Sequence, residues 1–181
     1  MGHDPLAYKF LLNKYKGYAF SIAIKIVKNR EDAEEVVQDS FVRAFKALRN
    51  FKGSGKFSTW LYKIVYNTSL TKIRNKRVIM DTLEAFPDSN FELDIPDNYT
   101  GSFEKLVQAD QAALLKKALA VLSESEDLVI VLYYGCENTI AEIEHITGWK
   151  SSTIKIRLFR ARQKLYEGLA KLLNEEIKEL L

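Results

Sequence analysis

Apolar residues recur at helical spacing toward both ends of this chain, and the recurrence breaks once, between Met80 and Ser102. Leu11, Tyr15, Tyr18, Ile22 and Ile26 form a first stripe. Asn29 and Arg30 interrupt it. Asp32 and Glu34 then give a second helix the acidic first turn that suits its N-terminus, with Ala33, Val37, Phe41, Ala44 and Leu48 on its apolar side. Beyond the loop from Phe51 to Phe57, Ser58 stands where it can cap a third helix with Leu61, Ile64, Val65 and Thr68 inside. Pro87, Pro96 and Gly101, set among acids, mark the break as a linker. Helical spacing resumes at Phe103, Leu106, Val107, Leu114, Leu115, Ala118 and Leu122. Ser123 with Glu126 makes a capping box before Leu128 to Tyr134, a helix that Gly135 can end in the left-handed conformation. A second box, Thr139 with Glu142, opens a short helix to Ile146, and Gly148 permits a tight turn. Ser151 or Ser152 then caps a long helix with Ile154, Leu158, Ala161, Leu165, Leu169 and Leu172 inside. No strand pattern interrupts this series. The expected fold is all-α: two small helical domains, residues 1–80 and 111–181, joined by a flexible acidic linker. That linker, residues 81–110, carries the start of the next helix. A length of 181 residues is enough for two such cores.

Charge is segregated along the same divisions. The net charge of +3 conceals +10 on residues 1–80, −7 on 81–110 and zero on the remainder. Between Ser40 and Met80 there are ten Lys or Arg and no acid, and between Lys150 and Lys164 six and again no acid. Solvated helix faces normally mix signs, so two acid-free patches point to two contacts with a polyanion. A short helix, a Gly turn and a long basic helix make up the helix-turn-helix arrangement, although period alone fits an ordinary helical hairpin equally well.

Several classes are excluded. The longest uncharged apolar runs fall far short of the ~20 residues of a membrane span. Asp4 and Lys9 stand where a signal peptide would be uninterruptedly apolar. One cysteine, Cys136, excludes an intrachain disulfide, and with His3 and His145 it cannot complete a four-ligand zinc site. No metal or other cofactor is expected, and the chain reads as cytoplasmic. Gly53-Ser54-Gly55-Lys56 looks like part of a phosphate loop, but Asn50 replaces its first Gly and Phe57 its Ser or Thr. No catalytic group is assigned.

The residues between Asn29 and Phe45 (Asn29-Arg30-Glu31-Asp32-Ala33-Glu34-Glu35-Val36-Val37-Gln38-Asp39-Ser40-Phe41-Val42-Arg43-Ala44-Phe45) are similar to region 2.2 of the extracytoplasmic-function (ECF) sigma factors. These are the two-domain members of the bacterial sigma-70 family. Phe51-Lys52-Gly53, Phe57-Ser58-Thr59-Trp60-Leu61-Tyr62-Lys63-Ile64 and Asn67 resemble regions 2.3 and 2.4. Thr153-Ile154-Lys155-Ile156-Arg157-Leu158-Phe159-Arg160-Ala161-Arg162 resembles region 4.2. The resemblance covers everything except the linker. It departs from the family at Glu144, where a small Ala usually meets the recognition helix, at Ser123 in place of Pro, and at Lys150 in place of Ser or Thr. Glu144 therefore leads us to expect disturbed packing at the helix-turn-helix.

The resemblance implies a dissociable promoter-specificity subunit whose partners are core RNA polymerase, promoter DNA and an anti-sigma factor, membrane-bound or not, with no insertion of its own into a membrane. Asp32, Glu35 and Asp39 share one helix face by their spacing. The resemblance implies that this face, with Gln38 and Val42, docks on the β′ clamp helices of the polymerase, with β as a further contact. Trp60, Lys63, Asn67, Thr71 and Arg74 fall on one side of the third helix. Cations, an aromatic ring and hydrogen-bonding groups together suit an unpaired strand. The resemblance assigns that face, with Phe51, Lys56 and Ser58 of the loop, to the −10 element; for Trp60, a place in the core fits nearly as well. On the recognition helix, Ser152, Lys155, Ile156, Phe159 and Arg160 face outward. Lys or Arg can pair with guanine and an apolar group can meet a thymine methyl. The resemblance gives the −35 base edges to Lys155, Ile156, Phe159 and Arg160, with Arg157, Arg162 and Lys150 on phosphates. A stand-alone helix-turn-helix regulator would explain the second patch but not the first.

Overall fold

Lys28 and Asn29 turn the chain between its first two helices in the computed structural model, which describes residues 5–51, 53–82 and 116–179, with side chains to 76 and to 172 in the two long helices. Helix α1 (Pro5–Val27) ends as Lys28 enters the left-handed region at φ 59°. The Asn29 side chain then caps α2 (Arg30–Ala47), accepting from the Asp32 N–H at 2.8 Å. This satisfies one of the free amides of the first turn, while Glu31 and Asp32 meet the positive end of the helix dipole. A 3-10 turn, Leu48–Asn50, leads into a loop where Gly53 has φ 69°. Helix α3 (Phe57–Thr82) follows and continues past Met80, the expected end of the first domain. The Trp60 N–H bonds the Lys56 carbonyl at 3.2 Å, so Lys56 holds the capping position and Ser58 lies inside the first turn.

The three helices pack pairwise on one another. In α1 the core residues are Ala19, Phe20, Ile22, Ala23 and Ile24, while Leu11, Tyr15 and Tyr18 are half-buried at its rim. The second half of α1 is flanked by both other helices, so burial there covers a wide arc and not the narrow stripe expected from spacing. Val36 and Ser40 join Ala33, Phe41 and Ala44 inside α2, and Tyr62, Tyr66 and Ser69 join Leu61, Val65 and Thr68 inside α3. The buried Ser69 hydroxyl donates to the Val65 carbonyl at 2.9 Å, which spares it an unmet polar group.

Farther along, residues 116–119 are helical, with Ala118 buried. Helix α4 (Glu124–Ile130) opens on the expected capping box: the Ser123 N–H and hydroxyl both donate to the Glu126 carboxylate, at 2.9 and 2.8 Å. From Val131 to Gly135 the helix widens into a π turn, with the Cys136 N–H on the Val131 carbonyl at 2.8 Å. Glu137, and not Gly135, takes the left-handed conformation, at φ 53°. The cause is Asn138, which is buried and donates its backbone N–H (3.1 Å) and its side-chain amide (3.0 Å) to the Leu132 carbonyl. Helix α5 (Ile140–Thr147) starts at the Thr139–Glu142 box and closes at Gly148, whose φ of 75° lets its N–H reach the Glu144 carbonyl at 2.8 Å. Helix α6 (Ser151–Glu179) begins with the Ile154 N–H on the Lys150 carbonyl at 3.1 Å, so Lys150 precedes the helix and neither Ser151 nor Ser152 does.

Both α4 and α5 pack on α6, where Ile143 and Ile146 join Leu128, Val129 and Leu132 in a core with Ile154, Leu158 and Ala161. This is a helix-turn-helix. Glu144 does not disturb it: the residue is exposed, and its carboxylate accepts from the Ser151 hydroxyl across the turn. The chain divides into two compact units between Tyr99 and Thr100. Asp81 and Thr82 of the expected flexible linker belong to α3; the rest of it, with Phe103, Leu106 and Val107, lies outside the described residues, as do Leu114, Leu115 and the expected boundary at 110. Among the described residues there is no strand, and no helix is long and apolar enough to cross a membrane.

Candidate nucleic-acid interface

On α6, burying Ile154, Leu158 and Ala161 turns Ser152, Lys155, Ile156, Phe159 and Arg160 outward along one strip. Ile156 is 51% and Phe159 67% exposed, an unusual position for two large apolar side chains flanked by cations. Lys150 is exposed at the start of the helix. The other two basic residues expected on phosphates are engaged elsewhere. Arg157 is half-buried, its guanidinium stacked 3.9 Å from the centre of the Trp149 ring. Arg162 donates from Nε to the Tyr134 hydroxyl at 2.8 Å and lies 5.6 Å from both the Tyr133 and Tyr134 rings.

On α3, Trp60 is half-buried in an aromatic cluster. Its ring is 5.2 Å from Phe51 and 5.6 Å from Phe57, which meet edge-on at 5.9 Å. Tyr15 extends the cluster to α1, 5.4 Å from Phe57. Phe51 and Phe57 flank the loop, so Trp60 ties both loop ends to the helix. The rest of the face is open: Asn67 and Arg74 are exposed and Lys63 half-exposed. The Thr71 hydroxyl donates back to the Asn67 backbone carbonyl at 2.9 Å, and the Asn67 residue itself is exposed. In the loop Lys56 is exposed, and Ser58 behind it is half-buried.

The acidic face of α2 splits into two parts. Lys76 reaches Asp32 at 3.0 Å, and Lys72 bridges Asp32 at 3.4 Å and Glu35 at 2.5 Å. Burial pushes the Asp32 carboxyl up, but the Lys76 and Lys72 ammoniums outweigh it and hold the group below the usual carboxylate range. Lys72 is held above its ordinary value, chiefly by its bond to Glu35. Gln38, Asp39 and Val42, one to two turns on, are exposed. Sequence reasoning missed the two lysines, although Lys72 and Lys76 at i, i+4 in an acid-free stretch were the available signal. It also missed Trp149, Tyr133 and Tyr134, whose partners lie on another element.

A further charged contact fixes α6 against α4. Lys164 reaches the buried Glu126 at 2.8 Å. Burial pushes the Glu126 carboxyl up, but Lys164 and the two Ser123 donors prevail and lower it to about 2.

Comparison with known proteins follows the same partition. The Sigma-70 region 2 profile matches residues 11–78, which fall on the three-helix bundle, and the Sigma-70, region 4 profile matches residues 118–167, which hold the helix-turn-helix. The chain is 27% identical over 175 residues to the RNA polymerase sigma-H factor of Pseudomonas aeruginosa, covering 95% of this chain and 91% of that one. It is 27% identical over 170 residues to the ECF RNA polymerase sigma factor SigW of Bacillus subtilis, covering 92% and 90%. Among solved structures it is similar to the sigma factor RpoE in its complex with the anti-sigma factor NepR from Bartonella quintana. The TM-score there is 0.67 at 26% identity, over 91% of this chain and 97% of that one.

Proposed function

The chain belongs to the sigma-70 family as an ECF sigma factor, and from that premise we propose how its surfaces divide the work of promoter recognition. The observation that carries the division is a pair of open, acid-free faces, one on each unit: Lys63, Asn67 and Arg74 on α3, and Lys155, Ile156, Phe159 and Arg160 on α6. The α6 strip enters the major groove of the −35 element, where Lys155 and Arg160 pair with guanine edges and the two apolar groups meet thymine methyls. Ser152 and Lys150 flank it. The α3 face, with Ser58 in its first turn, and the loop residues Phe51 and Lys56 hold the unpaired −10 strand, with cations on phosphates and the Asn67 amide on a base edge. Unstacking those bases costs energy that the strand contacts offset.

Gln38, Asp39 and Val42, with Glu35 and Asp32 behind them, dock on the β′ clamp helices of core RNA polymerase; charge complementarity there speeds and orients docking more than it adds affinity. An anti-sigma factor is a further partner, as NepR is for the relative from Bartonella quintana. The first domain, 1–80 with the end of α3, serves polymerase and the −10 strand. The domain from 111 to 181 serves the −35 duplex. The chain acts in the cytoplasm, without a catalytic group of its own. A stand-alone regulator would leave the α2 and α3 faces unused. Co-elution with core polymerase in gel filtration, followed by run-off transcription on genomic promoters, tests the proposal. Specific DNA binding by the chain alone, without polymerase association or transcripts, would overturn it.

A further inference from the structure

Two arginines of the recognition helix point away from its outer strip, and each meets aromatic rings from a neighbouring element. Trp149 sits in the turn between α5 and α6. Its N–H donates to the Thr147 hydroxyl at 3.2 Å, that hydroxyl donates to the Ile143 carbonyl at 2.8 Å, and Gly148 supplies the left-handed bend. The Trp149 backbone is thereby tied to α5. Two turns into α6, the Arg157 guanidinium stacks on it at 3.9 Å, and the Arg157 Nη1 atom is buried with no hydrogen-bond partner among the described residues. A phosphate oxygen cannot reach the buried Nη1 group, whereas a flat guanidinium on an indole gains cation–π attraction with no oxygen at all. On the other side, the π turn sets Tyr133 and Tyr134 edge to face at 4.9 Å, and Arg162 binds the Tyr134 hydroxyl through Nε at 2.8 Å. That bond takes the Nε corner of one bidentate edge of the guanidinium and leaves the Nη1–Nη2 edge open.

We propose that Arg157 on Trp149 and Arg162 on Tyr134 are positioning pairs that set the angle of the recognition helix to α5 and to α4, and that Arg157 is not a phosphate contact. The inference rests on the reading of α6 as the −35 helix. It removes Arg157 from the three cations expected on phosphates. Base-edge hydrogen bonds are sensitive to small displacements of the helix, so loss of a positioning pair lowers the preference for the right sequence. Loss of a phosphate contact weakens every sequence alike and lowers the salt slope.

The test uses holoenzyme reconstituted from core polymerase and the full chain, with two probes. One is the duplex that wild-type holoenzyme enriches from a random pool; the other is the same duplex with its −35 hexamer scrambled. Affinity is measured across a salt series for Arg157→Ala, Arg157→Lys, Trp149→Ala and Tyr134→Phe. Arg157→Ala and Trp149→Ala are each expected to lower affinity for the enriched duplex about ten-fold, with little change on the scrambled one and an unaltered salt slope. Arg157→Lys keeps the charge but not the plane and is not expected to rescue. Tyr134→Phe, which removes no charge and only the hydroxyl that Arg162 uses, is expected to cost about two- to three-fold. A slope lower by about 0.9 in Arg157→Ala, with rescue by Arg157→Lys, would make Arg157 a phosphate contact and overturn the proposal. So would unchanged binding in all four variants. If wild-type holoenzyme enriches no duplex, the −35 reading itself fails, which is a separate result.

Discussion

A carboxylate only 5% exposed keeps its charge because three donors surround it, and that makes Glu126 a pH-dependent strut. Its folded pKa of about 2 lies below the ordinary 4.5, so the folded state binds the proton more weakly than the unfolded state. The resulting stabilisation is complete above pH 4.5 and is lost as pH falls toward 2. It amounts to roughly 3 kcal/mol. Urea unfolding read by Trp149 fluorescence in a Trp60→Phe background should show this loss, and Glu126→Gln should flatten it while lowering stability at pH 7. A slope unchanged by Glu126→Gln would place the acid sensitivity elsewhere. Asp39 offers the opposite case: it is exposed, has no partner among the described residues, and so is a clean probe of docking. Asp39→Lys should weaken binding to core polymerase with the melting temperature unmoved, and undiminished binding would remove Asp39 from the interface.

At the scale of elements, the ion pairs of Lys72 and Lys76 join the start of α2 to the second half of α3. Asp32 and Glu35 are therefore part of how α3 is held, whatever they also contribute to docking. Lys72→Met should lower the stability of the first unit by about 1 kcal/mol, a fall of about 4–8 °C by calorimetry, without touching the exposed Gln38, Asp39 and Val42. An unchanged melting temperature would show the pairs to be inert. Periodicity alone placed these helices but not what crosses between them. The two capping boxes and the Gly148 turn were legible because they are local: the hydrogen bonds join residues three or four apart. The start of α3 at Phe57 and the left-handed Glu137 were not, because Ser58 is an adequate cap that packing bypassed and Asn138 recruits Leu132 from the preceding helix. The outward strip of α6 was fully legible, since its inward residues alone define it. Arg157 and Arg162 read as phosphate cations like Lys150 until Trp149 and Tyr134 came beside them.

For the whole molecule, the proposed division of work has its two units recognise DNA in different states. Arg160 lies on an exposed strip suited to a duplex groove, where a good base contact is worth ~1–3 kcal/mol. Arg160→Ala should reduce affinity for duplex −35 DNA and relax preference at one or two base pairs. Asn67 lies on a different helix in a different unit, its amide free to meet an unstacked base. Asn67→Ala should leave duplex −35 binding intact and instead reduce open-complex formation, read by permanganate reactivity of −10 thymines. A pre-melted −10 bubble should restore only the part of that defect due to melting, because the lost strand contact remains lost. In the Arg160→Ala holoenzyme the same bubble should leave the duplex-binding defect untouched. The double variant should show the two defects added in free energy, since the sites share no partner. If Asn67→Ala and Arg160→Ala instead gave the same defect in both assays, the two faces would be acting as one surface and the division between duplex and single-strand recognition would be wrong.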